Sequence, residues 1–200
     1  TYQLSVGTSR SGGSGSGYYT HDSDVARVSA NASYQDGLYS AIGLSAQGGL
    51  TLTHKGGAAH RTGIIGGTRL LIDTQGVPEV PVHGYGSSTY TNSWGTAVIG
   101  DVSSYYRNTA SIDLDKLSAN AEATTSVVQA TLTEGAIGYR SFEVIAGAKA
   151  MAVIKLANGK EPPFGAILMN DRKQKIGIVN DGGNVYLTGI NPSDTMTVYW

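Results

Sequence analysis

Ala26-Arg27-Val28-Ser29-Ala30-Asn31-Ala32-Ser33-Tyr34 is a run in which apolar and polar residues alternate. Ala26, Val28, Ala30, Ala32 and Tyr34 fall on one side, with Arg27, Ser29, Asn31 and Ser33 on the other. Side chains of a strand point to opposite faces in turn, so the stretch makes a β-strand with one apolar and one polar face. Leu38, Ile42, Leu44 and Ala46 continue the pattern after the turn signal Asp36-Gly37. Leu50 and Leu52 give a third, shorter strand after Gly48-Gly49. The apolar residues are mostly small, which suits a lipid-facing wall better than a packed core. A transmembrane strand needs about 9–11 residues of this dyad pattern. The same alternation also fits a half-exposed antiparallel sheet in a soluble protein. Ser11-Gly12-Gly13-Ser14-Gly15-Ser16-Gly17 reads as a flexible loop between two such strands.

Composition points the same way. Among 200 residues there are 28 Gly and 12 Tyr against 2 Phe, and 14% are charged, well below a usual soluble domain. This is the palette of a turn-rich, all-β protein and also of an outer-membrane barrel. The formal charge is −1, with no basic run to attract nucleic acid. There is no cysteine, hence no disulfide or thiolate metal site within this stretch. No apolar run approaches the length of a membrane helix. The chain starts directly in a strand pattern without an initiator Met, and reads as a fragment or a processed piece of something longer.

Beyond residue 66 the texture changes. Strand-like runs at Thr68–Asp73, Ala97–Ile99, Thr109–Leu114 and Val127–Leu132 are separated by Pro78, Pro81 and polar turns. From about residue 142 the chain reads as a compact β-sandwich. Ala150, Ala152, Ile154 and Leu156 alternate with Met151, Val153 and Lys155, which predicts a strand buried on both faces. Asn158-Gly159 predicts one hairpin and Asp181-Gly182-Gly183-Asn184 another, between Ile176–Val179 and Val185–Leu187. Met196–Trp200 closes as a final strand. No amphipathic helix is evident, which argues against a parallel α/β fold.

The residues that could carry chemistry are better explained otherwise. Gly12, Gly13, Gly15 and Gly17 lack the following helix and the Lys of a phosphate cradle. No serine has the nucleophile-elbow frame. His21, His54, His60 and His83 form no metal-binding motif, and His21-Asp22-Ser23-Asp24 reads as a solvated turn. Asp113 and Asp115 would share a face of a strand, the spacing a glycosidase reading would use, but edge charge explains them. Trp94, Phe142, Phe164 and Trp200 read as core anchors of small domains. No catalytic, metal or cofactor site is expected, and the protein is read as not an enzyme.

Specificity comes from the second half. Trp94-Gly95-Thr96-Ala97-Val98-Ile99, Ser104-Tyr105-Tyr106-Arg107-Asn108, Ile112-Asp113 and Leu117 resemble, in order, the first C-terminal domain of bacterial fimbrial ushers. Thr133-Glu134-Gly135-Ala136-Ile137, reaching Phe142, fits the same pattern with Leu132 where Pro is usual. Pro163-Phe164-Gly165-Ala166, Gly177-Ile178-Val179, Gly183-Asn184-Val185-Tyr186-Leu187, Gly189 and Val198-Tyr199-Trp200 resemble the second C-terminal domain. Gly48-Gly49, His54 and Gly57 resemble the last strands of the usher pore. The likeness is collinear over about residues 40–200. Two departures stand out. Ushers usually continue past the closing Trp, often with a cysteine pair, so the second domain is expected to be incomplete here or to lack that staple. The barrel portion is also too short to form a pore alone.

The resemblance implies an all-β chain: residues 1–66 as the last antiparallel strands of the outer-membrane barrel, 67–141 and 142–200 as two small periplasmic β-sandwich domains. It implies binding of periplasmic chaperone–subunit complexes and assembly and secretion of fimbrial subunits by donor-strand exchange, with no cofactor. Further partners are the usher plug, other usher domains and outer-membrane lipid. Strand exchange is β-strand addition, driven by main-chain hydrogen bonds and pocket-filling side chains, and needs no nucleotide. Candidate contact residues are Phe164 and Met169 beside Pro162-Pro163, with Tyr105 and Tyr106 in the first domain; filling the cores of the two sandwiches is their alternative role. The competing reading of the whole chain is a secreted β-sandwich adhesin or carbohydrate-binding module.

Overall fold

In the computed structural model, the residues described are 1–10, 12–61, 67–84, 88–100, 102–192 and 194–200. The five N-terminal strands are β1 (Tyr2–Ser9), β2 (Gly12–Asp22), β3 (Ala26–Gln35), β4 (Tyr39–Thr53) and β5 (Gly56–His60). They form one antiparallel sheet in chain order. Register carries the dyad pattern across the sheet. Leu4 pairs with Gly17, Gly17 with Ala32 and Ala32 with Ile42, all on one face. Ser5, Ser16, Ser33 and Ala41 follow on the other. The apolar face is open, with Ile42 83% and Leu44 80% exposed, a contiguous apolar surface of the kind that meets a membrane or a protein partner.

Two local expectations are corrected here. Residues 12–17 are not a loop but the first half of β2; Ser11 lies outside the described residues. Paired on both sides, β2 has its backbone groups satisfied by the ladders whatever its side chains are. Gly48-Gly49 does not start a third strand either, because β4 runs for 15 residues straight through it. The glycine at 49 answers a close approach: a Cβ there would lie 2.3 Å from the His60 ring.

The second part contains β6 (Arg69–Asp73), β7 (Pro81–His83), β8 (Ser88–Tyr90), β9 (Thr96–Ile99), β10 (Arg107–Ile112), β11 (Ala121–Ala123), β12 (Val127–Thr131), β13 (Ile137–Ser141) and β14 (Val144–Ala146). Sheets ordered β12-β10-β7-β8 and β13-β6-β9, with the pair β11-β14, enclose a core including Leu70, Ile72, Val80, Val82, Phe142 and Val144. The β13–β6 pairing is parallel. Phe142 is fully buried, as a core anchor should be, and burial of such a side chain stabilises by about 1.5–3 kcal/mol. β10 ends at Ile112, so Asp113 and Asp115 lie in a turn, not on a shared strand face.

β6 and β9 are buried on both faces. Leu71 and Val98 point away from the first core and pack on Ala58 of β5. Thr96 Oγ1 and Asn92 Nδ2 donate to the Gly57 carbonyl at 2.6 and 2.9 Å. Lys55, at the tip of the β4–β5 hairpin, stands over the Tyr139 ring. The N-terminal sheet is therefore joined to the second part by a small apolar contact bordered by direct hydrogen bonds.

The third part contains β15 (Ala148–Val153), β16 (Ile167–Met169), β17 (Lys175–Ile178), β18 (Asn184–Ile190) and β19 (Thr197–Tyr199). The pair β15-β18 and the sheet β17-β16-β19 enclose Ile145, Leu168, Ile176, Val179, Val185 and Leu187. The turn at Asp181–Gly183 joins β17 to β18 as expected, through the Val179–Val185 bridge. Two expectations fail. β15 is not buried on both faces: it pairs only with β18, so Met151 and Val153 stay exposed while Ala152 and Ile154 pack inward. Asn158-Gly159 does form a turn, with Gly159 N donating to Leu156 O, but no ladder follows it. Pro162 and Pro163 come next and have no N–H to give.

Candidate partner-binding surface

Tyr105 and Tyr106 lie side by side on a surface turn and are exposed, not core. The turn is rigidly built. The buried Asn108 accepts from Ser103 N at 2.9 Å and donates to Ser103 O at 2.8 Å and Tyr106 O at 2.9 Å. Tyr105 N donates to Leu132 O at 2.7 Å, and Ser104 Oγ meets Thr68 Oγ1 at 2.8 Å. Tyr105 sits at φ +65°, a conformation that costs a non-glycine residue free energy and persists only where the surroundings enforce it.

Phe164 is likewise displayed by a turn. Ala166 N donates to Pro163 O at 3.1 Å, and Gly165 takes φ +84°, the third position of a type II turn. Gly165 N and Val179 N complete the anchoring, to Val179 O and Ala166 O at 2.8 Å each. Phe164 at the second position projects into solvent. Met169 is half-buried at the end of β16. Register puts Ile167, its neighbour on the same face, opposite Ile178 and Tyr199, and these residues extend the apolar strip around Met169. Sequence reading missed them because each strand is only three or four residues long, too short for a period to show.

The candidates therefore form two groups, one tyrosine pair on the second part and Phe164 with Met169 on the third. Core filling is excluded for Tyr105, Tyr106 and Phe164. Trp94 and Trp200, expected as core anchors, are also on the surface, at 76% and 74% exposure. Between the second and third parts is a cleft of about 320 Å³ lined by Val77, Pro78, Asn170, Arg172, Gln174 and Asp194 among others. Gln174 closes its floor, donating to Gln75 Oε1 at 2.6 Å and accepting from Asn170 at 3.0 Å.

One polar constellation was invisible in sequence. His83 Nε2 donates to Asp113 Oδ2 at 3.0 Å, and Ser88 Oγ lies 2.7 Å from His83 Nδ1. Lys116 Nζ shares the same carboxylate oxygen at 3.1 Å. The His83 hydrogen bond, then that of Lys116, holds the Asp113 carboxyl at about 2. With its carboxylate shared and its serine on an exposed hairpin rim, the string ties β7, β8 and the end of β10 together. The expected turn at His21–Asp24 is shorter: His21 and Asp22 are the last residues of β2, and Asp22 is ion-paired with Arg27, its cross-strand partner on β3. Among the described residues no group of three His, Asp or Glu is placed to hold a metal ion.

The family model described as outer membrane usher protein matches residues 1–142, and the one described as PapC C-terminal domain matches residues 151–200. The putative outer membrane usher protein YfcU of Escherichia coli K12 is 59% identical over 199 residues, covering all of this chain and 23% of that protein. The usher PapC of Escherichia coli is 48% identical over 206 residues, covering 24% of its length. PmfC of Proteus mirabilis is 42% identical over 185 residues, covering 92% of this chain and 22% of its own. Among solved structures, a cryo-EM structure of the E. coli P pilus tip assembly intermediate PapC-PapD-PapK-PapG matches with a TM-score of 0.67 and 44% identity. That match covers all of this chain and 25% of the one it resembles. The chain thus spans about a quarter of its relatives' length, and the adhesin reading does not stand beside these matches. An open, apolar-faced sheet followed by two small β units, matched end to end in this way, makes the chain a member of the outer membrane usher family, corresponding to the usher's C-terminal portion.

Proposed function

We propose that this chain is the part of an outer-membrane usher that receives periplasmic chaperone–subunit complexes and supports assembly and secretion of fimbrial subunits by donor-strand exchange. Residues 1–66 supply strands of the pore wall, and 67–141 and 142–200 are the two C-terminal periplasmic domains, with Phe142 and Val144 at their boundary packing back into the first core. The PapC structure matched above holds a pilus assembly intermediate, which supports this choice of partner. The task is positioning and strand transfer, with no bond chemistry and no cofactor.

The observation that carries the reading is the pair of pre-formed aromatic displays. Tyr105 and Tyr106 are fixed by Asn108 and a left-handed backbone, and Phe164 by its glycine turn. Exposed aromatics on a backbone that is already fixed in the free protein lose less entropy on binding than those on a mobile loop, and aromatic side chains are favoured anchors. Met169 and its strip extend the Phe164 side. Photo-crosslinking from positions 106 and 164 of the full-length usher tests this, with a label at Ile42 as control. Adducts with the cognate chaperone–subunit complex at 106 and 164, but not at 42, are expected; equal labelling at all three positions would refute the surface assignment.

A further inference from the structure

We propose that Gln174 is a positioning residue for partner binding: its contact with Gln75 braces the third part of the chain against the second and so sets the spacing between the Tyr106 and Phe164 displays. The inference rests on the reading above that these two displays receive one chaperone–subunit complex. The chain passes from the second part to the third at Gly147, between β14 and β15. A single crossing strand holds two bodies together but leaves twisting about it as their softest relative motion. One edge of β14 is held from within the second part, where Thr124 N donates to Glu143 O at 3.0 Å and Gly147 N to Asn120 O at 2.8 Å. Val144, of the other parity, turns its carbonyl to the opposite edge, and there Gln174 Nε2 lies at 3.4 Å.

Gln174 is nearly fully buried, and both ends of its carboxamide are engaged. Nε2 also donates to Gln75 Oε1 at 2.6 Å, a bond between residues 99 apart in sequence, and Oε1 accepts from Asn170 Nδ2 at 3.0 Å. The turn that presents it is fixed. Asn170 Oδ1 accepts from Arg172 N at 3.0 Å and from Gln174 N at 2.9 Å, with Lys173 at φ +60°. Gln75 faces it from a second such turn, at φ +57°, its amide donating to Asp73 Oδ1 at 2.8 Å. Non-glycine residues keep a left-handed backbone only where the surroundings enforce it, and here one stands on each side of a single contact between the two parts. The contact is neutral, so salt does not screen it as it would an ion pair. Two anchors at a fixed spacing engage one partner as a bivalent unit, and they lose less entropy than anchors whose spacing is found on binding.

Gln75 is the position to change, because it is exposed and its substitution leaves the bonds between Asn170 and Gln174 in place. Gln75→Ala removes the acceptor, whereas Gln75→Glu keeps one. In the full-length usher, spin labels at Thr109→Cys and Ala157→Cys, both exposed, report the spacing of the two parts; unsubstituted protein gives the labelling background. The distance distribution should broaden in Gln75→Ala and return to its original width in Gln75→Glu. Calorimetric titration with the cognate chaperone–subunit complex should show binding about fivefold weaker in Gln75→Ala. The same change should cost less than about twofold where Phe164→Ala has already removed one anchor, since no spacing is then left to hold. Equal weakening in both backgrounds, or an unchanged distance distribution, would overturn the proposal while leaving the binding surface as assigned. Affinity that ignores both Tyr106→Ala and Phe164→Ala would overturn the surface assignment, and the positioning role with it.

Discussion

Val144 and Ile145 are consecutive residues of β14 that serve different cores: Val144 is fully buried in the first, and Ile145 in the second. The alternation of a strand therefore makes β14 a shared wall between the two C-terminal units. The backbone supports this, since β14 pairs with β11 and Gly147 N donates to Asn120 O at 2.8 Å. Ile145→Ala is expected to destabilise by about 2–5 kcal/mol, the range for truncating a buried isoleucine. Hydrogen exchange in the full-length usher should rise in β16–β18 and also in β11. A rise confined to β16–β18 would show that the two units open independently.

The bonds to Gly57 give a second expectation. Asn92 holds its turn through two backbone N–H groups and the Thr96 hydroxyl, and donates to Gly57. Asn92→Ala should cost about 1–3 kcal/mol, because the part-buried Thr96 N loses its acceptor and the turn loses one of its two bonds to Gly57. Thr96→Val, which removes one hydroxyl, should cost about 0.5–1.5 kcal/mol. Denaturant titration of the reconstituted usher checks the order; equal losses would contradict it.

On the N-terminal sheet the two faces should differ sharply. Leu44→Arg places a charge on the apolar face and should destabilise by about 2–4 kcal/mol near the midplane. Ser45→Arg, one residue on, falls on the polar face, where Ser45 Oγ meets Ser29 Oγ at 2.8 Å. It should be tolerated far better in vesicle-refolding titrations. Equal effects would sink the assignment of the lipid-facing side.

Acid should loosen the tie at the end of β10. Asp113 is held at about 2 against an ordinary 3.8. A depressed pKa contributes stability that is present above the unfolded value and is lost as pH falls through the folded one. The loss should therefore fall between about pH 4 and pH 2, and Asp113→Asn should remove that part of the acid sensitivity. NMR titration of the Asp113 carboxyl locates the midpoint; a value near 4 would refute the account.

The dyad strands were legible because their information is local: in Ala26–Tyr34 each residue states its own face. β2 was not, because Gly and Ser carry no such signal and only pairing with β1 and β3 makes residues 12–17 a strand. His83 and Asp113, thirty residues apart, meet through the β7–β10 pairing, which no local pattern announces. Residue type points to core for Trp94, and for Phe164 leaves core and partner contact both open. Each sits in a turn whose glycine, Gly95 or Gly165, points to tight backbone rather than packing. The motifs that carry the family resemblance contain both kinds of position: Trp94 and Phe164 are displayed, while Ala97, Val98, Ile99 and Ala166 beside them are buried.

The central claim is that two fixed aromatic turns receive the chaperone–subunit complex. Calorimetric titration of the full-length usher with its cognate complex, and with free chaperone, tests it most directly. Saturable binding of the complex is expected, weakened at least about tenfold by Tyr106→Ala with Phe164→Ala, as loss of anchor side chains implies. Unchanged affinity in that folded double variant would place the binding surface elsewhere and contradict the account.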